Sequence, residues 1–254
     1  MNISGVVYVI IILIVVYFLF SWFSATSTNL SSRTSTDVTT TVAAKKVYTS
    51  SNSYSYSIWF NITNWTNNFG REKIIFLKTN QSTPGDTGGD YELQGKGDTT
   101  IDQPKDVLAV SLAPYENNLN ILVPYAGNSG VIEEWKTTVY GIPIQKWVNI
   151  SISFEQKVID IYMDGKLVKT SVVPNIPIPT PDASSYKLII CPQDKTFKGE
   201  IAKFKFHKSS LNPQEAWEIY KKGFGSGMLS GLVNRYKLKI AFLKDDQEFN
   251  SFML

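Results

Sequence analysis

Between residues 147 and 170 the chain reads WVNISISFEQKVIDIYMDGKLVKT, and this stretch narrows the available folds more than any other. Val148, Ile150, Ile152 and Phe154 alternate with Asn149, Ser151 and Ser153. Successive strand side chains point to opposite faces, so the alternation predicts a half-buried strand. Asp164-Gly165 then divides VIDIYM from KLVKT. A two-residue type I′ turn needs φ > 0 at both central positions, which Asp-Gly tolerates. Three consecutive antiparallel strands are expected here, with no room for a crossover helix between them.

The same period recurs along the chain. In YSYSIWFNI, Tyr54, Tyr56, Ile58, Phe60 and Ile62 form the apolar face, and Trp59 interrupts the polar one. Residues 73–78, 107–112, 119–123, 186–190 and 200–207 read as further strands, with a hairpin across Glu116-Asn117-Asn118. In RYKLKIAFL the alternation returns, and Asp245-Asp246 turns it back into EFNSFML. Aromatic residues make up 13 % of the chain, which suits pleated surfaces. Many short strands separated by turn signals predict an all-β antiparallel sandwich or barrel. One helix is expected after the strands: Asn212-Pro213-Gln214-Glu215 supplies a cap, a first-turn proline and a back-capping acid. It stops before Gly223. Ile150, Ile152, Ile159, Ile161, Phe204 and Phe206 are expected to share a core layer.

Ahead of this, residues 5–23 (GVVYVIIILIVVYFLFSWF) are nineteen residues without a charge. A helix of that length spans about 28 Å, close to the ~30 Å hydrocarbon thickness. The residues before it include no Lys or Arg, and the apolar run exceeds that of a signal peptide. A retained transmembrane anchor is expected over 1–23, with Val6, Val9, Ile12, Val16, Leu19 and Trp22 facing lipid. Residues 24–50 are Ser/Thr-rich and read as an extended tether. The sandwich is expected over 51–223, and a glycine-rich segment with a hairpin or tail over 224–254. Arg33 follows the span and no basic residue precedes it, which places the sandwich on the cytoplasmic side.

Composition excludes several chemistries. Lys and Arg number 25 against 22 Asp and Glu, a net charge of +3, so no nucleic-acid stripe is expected. The single Cys191 and single His207 rule out an internal disulfide, Cys-cluster zinc and two-His metal sites. His207 is expected at a strand end facing solvent, and Lys203 and Lys205 on a basic outer strand face. Residues 80–106 form a long loop in which Asp86, Asp90, Glu92 and Asp98 are the candidate partner or ligand residues. Their spacing fits no EF-hand, so neither a metal nor a cofactor is expected.

The stretch WVNISISFEQKVIDIYMDGKLVKT, followed by FKGEIAKFKFHKSSLNPQEAWEIYKKG, resembles the laminin G-like, concanavalin A-like sandwich family. YSIWFNITNW is similar to that family's opening strand, while Cys191-Pro192 and the 80–106 insertion depart from its pattern. The resemblance implies a jelly-roll β-sandwich. It also implies a test for glucanase chemistry, since retaining glycosidases need two carboxylates about 5–5.5 Å apart. The clustered Glu-x-Asp-x-Glu run of the glucanase branch is missing, and Asp90-Tyr91-Glu92 lies in the loop. No enzyme activity is expected. The order of anchor, tether and sandwich further resembles virion proteins of large icosahedral DNA viruses. That likeness implies a minor capsid protein located between an internal membrane and the shell, with the lipid bilayer and capsid proteins as partners. The alternative is a cell-surface or virion-surface lectin that binds glycans.

Overall fold

The computed structural model describes residues 11–16, 27–79, 108–127, 132–178, 186–225, 239–244 and 247–253, the last two stretches by their backbone. Two antiparallel sheets face each other. In the first, β1 (Ser27–Ser31), β13 (Lys198–His207), β4 (Ser53–Asn64), β9 (Trp147–Glu155), β10 (Val158–Met163) and β11 (Lys166–Val172) lie side by side, and β2 (Thr34–Ser35) also pairs with β13. The second runs β3 (Thr40–Ala43), β12 (Lys187–Ile190), β5 (Lys73–Thr79), β6 (Leu108–Leu112), β7 (Leu119–Ala126) and β8 (Ile132–Val139). An α-helix, α1 (Pro213–Lys221), follows β13, and β14 (Lys239–Lys244) pairs with β15 (Gln247–Met253) as a hairpin.

The inner faces meet as the alternation requires. Ile150, Ile152, Ile159, Ile161, Phe204 and Phe206 are all buried in one core cluster. Aromatic rings fill its centre: Tyr54 stacks on Phe154 at 4.6 Å, and Phe76 meets Phe204 at 4.8 Å across the two sheets. The Asp164-Gly165 turn has φ of +50° and +75°, as a type I′ hairpin demands. Asp164 and Asn149 also exchange hydrogen bonds, which tie this turn back to β9.

Several expectations are corrected. The Ser/Thr-rich stretch supplies β1, β2 and β3 and is not an extended tether. Its backbone pairs with β13 and β12, so β1 and β2 rise along the first sheet and β3 descends along the second. The sandwich therefore begins before residue 51. β8 (IEEWKTTV) was not expected, because its polar residues hide the inward parity of Thr137 and Val139. Lys203 does not lie on an open face. A bulge at Ala202/Lys205, with φ of +46° at Lys203, turns its Nζ onto the carbonyls of Lys222 and Gly223. There it caps the C-terminus of α1, where a cation is favoured. His207 is half-buried, and its Nε2 lies 3.1 Å from Ser57 Oγ.

The anchor positions Val6, Val9, Leu19 and Trp22 lie outside the described residues, as do Asp86, Asp90, Glu92 and Asp98. Residues 11–16, which include Ile12 and Val16, are helical and exposed. Among the described residues no helix is long and apolar enough to cross a membrane.

Candidate functional site

Both sheets end in loops at two opposite poles. At one pole, here the rim, β4 leads to β5 through residues 65–72, β6 to β7 through 113–118, and β8 to β9 through 140–146. At the other, the base, lie the start of β1, the end of β3 and the end of β13.

The rim loops are bound to one another and to the strands below. Gly70 N donates to Pro114 O at 3.3 Å, and Ile142 N donates to Asn117 O at 2.7 Å. Asn117 Nδ2 returns a bond to Ile142 O at 2.8 Å, and Gly141 N donates to Asn118 Oδ1 at 3.2 Å. Asn68 Nδ2 reaches Thr196 O at 2.8 Å, and Gln145 N reaches Ile62 O at 2.8 Å. Beneath them Lys73 is buried, a costly place for a cation. Its Nζ donates to Pro114 O at 3.1 Å and lies 4.4 Å from the Trp65 ring centre. Burial holds its pKa below the usual lysine value. Left-handed φ values at Asn68, Gly70, Gly141 and Gln145 turn the chain sharply within these loops.

This frame displays aromatic side chains to solvent. Phe69 is 60 % exposed, Tyr115 66 % and Tyr140 73 %, with Ile144 in the same loop as Tyr140 at 36 %. Phe69 and Tyr115 meet edge to face at 5.5 Å. Exposed Asn67, Arg71 and Glu116 stand in the same loops. Large apolar side chains held outward on a hydrogen-bonded frame present a ready contact surface. The exposed rings follow no period along the sequence, and tertiary structure brings the three loops together.

The outer face of the second sheet offers a contrast. One cross-strand row runs Thr41, Ile189, Leu77, Ala109, Leu122 and Lys136. Ile74, Leu77, Ala109 and Ile189 form a buried apolar cluster of their own. At its margin Glu72 accepts from Ser111 Oγ at 3.1 Å, Asn120 Nδ2 at 3.2 Å and Lys136 Nζ at 3.2 Å. Among the described residues no group of three or more His, Cys, Asp or Glu side chains is placed to hold a metal ion.

The outer face of the first sheet is covered by α1. Trp59 stacks on Tyr220 at 5.6 Å, and Trp147 on Phe224 at 4.4 Å. Arg33 lies 5.4 Å from the Trp147 ring centre and pairs with Glu200 through two hydrogen bonds. This seals the face that holds His207, whose pKa burial pushes down to about 4, helped by Lys205 and Lys222.

Comparison with solved structures returns the same sandwich. The binding domain of botulinum neurotoxin serotype D aligns with a TM-score of 0.50 at 12 % identity, over 84 % of this chain and 44 % of that one. The binding domain of botulinum neurotoxin DC, solved with rat synaptotagmin II, gives 0.48 at 15 % identity, over 72 % and 40 %. A structure of botulinum neurotoxin type C, whose cell entry depends upon interaction with two ganglioside molecules, gives 0.47 at 15 % identity, over 72 % and 40 %. The chain thus spans under half the length of these proteins, and the likeness is one of fold. No curated protein matches the sequence. A family model does match, over residues 33–216, a span that begins in the β1–β2 region and ends inside α1. The chain belongs to the concanavalin A-like lectin/glucanases superfamily.

Proposed function

We propose that this chain is a non-enzymatic, membrane-anchored recognition module that binds glycans through the rim formed by Phe69, Tyr115 and Tyr140. One observation carries the reading: three aromatic side chains stand largely exposed on a loop frame that hydrogen bonds already hold in place. Sugar rings present apolar C–H faces and a girdle of hydroxyls. Exposed rings suit the faces, and Asn67, Arg71 and Glu116 suit the hydroxyls. A preformed frame also lowers the ordering cost of binding. The superfamily to which the chain belongs includes lectins, which accords with this reading. The capsid-linking role that the chain's architecture resembles is the second reading, and the exposed aromatic rim favours adhesion over it.

The full chain, reconstituted in lipid nanodiscs, tests this on a glycan array. Saturable binding to a defined subset of glycans is expected. An array with no bound glycan at any concentration would refute the glycan assignment.

A further inference from the structure

We propose that the base of the sandwich, at the corner where β1 begins, rests on anionic phospholipid of the same bilayer that holds residues 5–23. The inference depends on the anchored reading above and adds to it an orientation and a lipid chemistry. The apolar run ends at Phe23 and β1 begins at Ser27, leaving Ser24, Ala25 and Thr26 between them. Four Cα steps reach at most about 14 Å. The headgroup layer takes up roughly 6 Å of that on each side of the bilayer. Because β1, β2 and β3 take the chain between residues 27 and 43 into the two sheets and do not hang free as a tether, no slack remains to lift the domain away.

Register then shows which part of the fold is held down. Ser27 pairs with His207, at the C-terminal end of β13, and so lies at the base. The same corner receives the end of β3, where Ala43 pairs with Lys187 and leads into the 3-10 turn Ala44–Lys46. Lys45, Lys46 and Lys208 are exposed there, with Lys187 and Lys205 half-buried. Arg33 and Lys198, by contrast, are paired with Glu200 and Asp37 toward the rim. Among the described residues the base carboxylates stand on strands away from this corner, Glu155 on β9 beyond β13 and β4, and Glu133 on β8 at the far edge of the second sheet. The acidic residues of 80–107, a segment that joins the base ends of β5 and β6, lie outside the described residues. Lysines beside a membrane surface are drawn to anionic headgroups. Two separate facts, the three-residue link and the lysine corner, thus select the same pole.

The rim is carried outward as a result. β4 spans twelve residues from base to rim, about 36 Å at ~3.3 Å per residue. Phe69, Tyr115 and Tyr140 then face away from the bilayer, toward a partner beyond it.

Fluorophores on single introduced cysteines test the geometry in the full chain, since native Cys191 is buried. Ser209→Cys marks the base and Thr66→Cys the rim, both at exposed positions. Nanodiscs of phosphatidylcholine, with or without phosphatidylserine, carry a headgroup-linked quencher. Quenching is expected to be several-fold stronger at 209 than at 66. It should weaken when phosphatidylserine is omitted, at high salt, or in Lys45→Gln/Lys46→Gln/Lys208→Gln. Equal quenching at the two sites, stronger quenching at 66, or no dependence on phosphatidylserine overturns the inference while leaving the anchor standing. Release of the chain from vesicles by alkaline carbonate would instead overturn the anchor, and this inference with it.

Discussion

Gly165 lies directly against Trp217: a Cβ at residue 165 would stand 2.9 Å from Trp217 Cε3 and 2.9 Å from Tyr220 Cβ. The Asp-Gly hairpin therefore does two jobs. It turns β10 into β11 with φ of +75° at the glycine, and it lets α1 approach the turn closely.

Gly165→Ala should consequently cost more than backbone strain alone. Gly141 is the internal control, because its φ is +72° and nothing lies within 4 Å of a Cβ placed there. Gly141→Ala is expected to cost about 1 kcal/mol, within the range for left-handed strain. Gly165→Ala should exceed it by a further 1–3 kcal/mol, roughly the cost of overpacking. Paired denaturant melts check this, and equal losses in the two variants would mean that the helix does not press on the turn.

A second expectation concerns acid. Burial, with Lys205 and Lys222 nearby, holds the folded His207 pKa near 4, against 6.5 for the free side chain. Between those values the unfolded chain binds the proton and the fold does not. Stability therefore falls as pH drops through 6.5 toward 4 and is level above 6.5. The slope approaches about 1.4 kcal/mol per pH unit, with a total of order 3 kcal/mol. Melting temperatures between pH 7 and 5 should fall in the wild type and stay flat in His207→Gln, provided the variant's Ser57 contact survives.

Cys191 should be chemically silent. It is buried, and burial pushes its thiol up to about 12, so almost no thiolate exists at neutral pH. A maleimide should label the folded chain negligibly and the denatured chain stoichiometrically. Stoichiometric labelling of the folded chain would contradict its placement.

Ile152 faces Ile161 across β9 and β10, and both are buried in the main core. Ile152→Ala is expected to cost 2–5 kcal/mol, read from urea melts. A loss well under ~1 kcal/mol would mean that the inward parity of β9 is misread.

The strands that alternate cleanly were legible in the sequence, and their physics explains why. β4, β9, β10 and β13 are buried on the inner face by local pattern alone, and Asp164-Gly165 signals its turn through φ. β1 to β3 were not legible, since STNLS and TTVA show no strong period and are ordered by pairing with residues more than 140 positions away. Lys73 and Lys78 stand at the two ends of the stretch 73–78 that reads as a strand. The structure buries both, and their ammonium groups reach the carbonyls of Pro114 and Ile178 at the two poles. The rim escaped notice for the same reason as β1. Phe69, Tyr115 and Tyr140 are far apart in sequence, and only the sheet order makes neighbours of their loops.

The most direct test of the account is the affinity of an array-selected glycan for the full chain and for Phe69→Ser/Tyr115→Ser/Tyr140→Ser, measured by calorimetry in nanodiscs. All three side chains are exposed, so the melting temperature should hardly change. The account predicts that the triple variant loses affinity by at least about tenfold, or roughly 1.4 kcal/mol, while Val158→Ser/Val172→Ser at the base binds as the wild type does. Undiminished binding in the rim variant, or loss in the base variant instead, would contradict it.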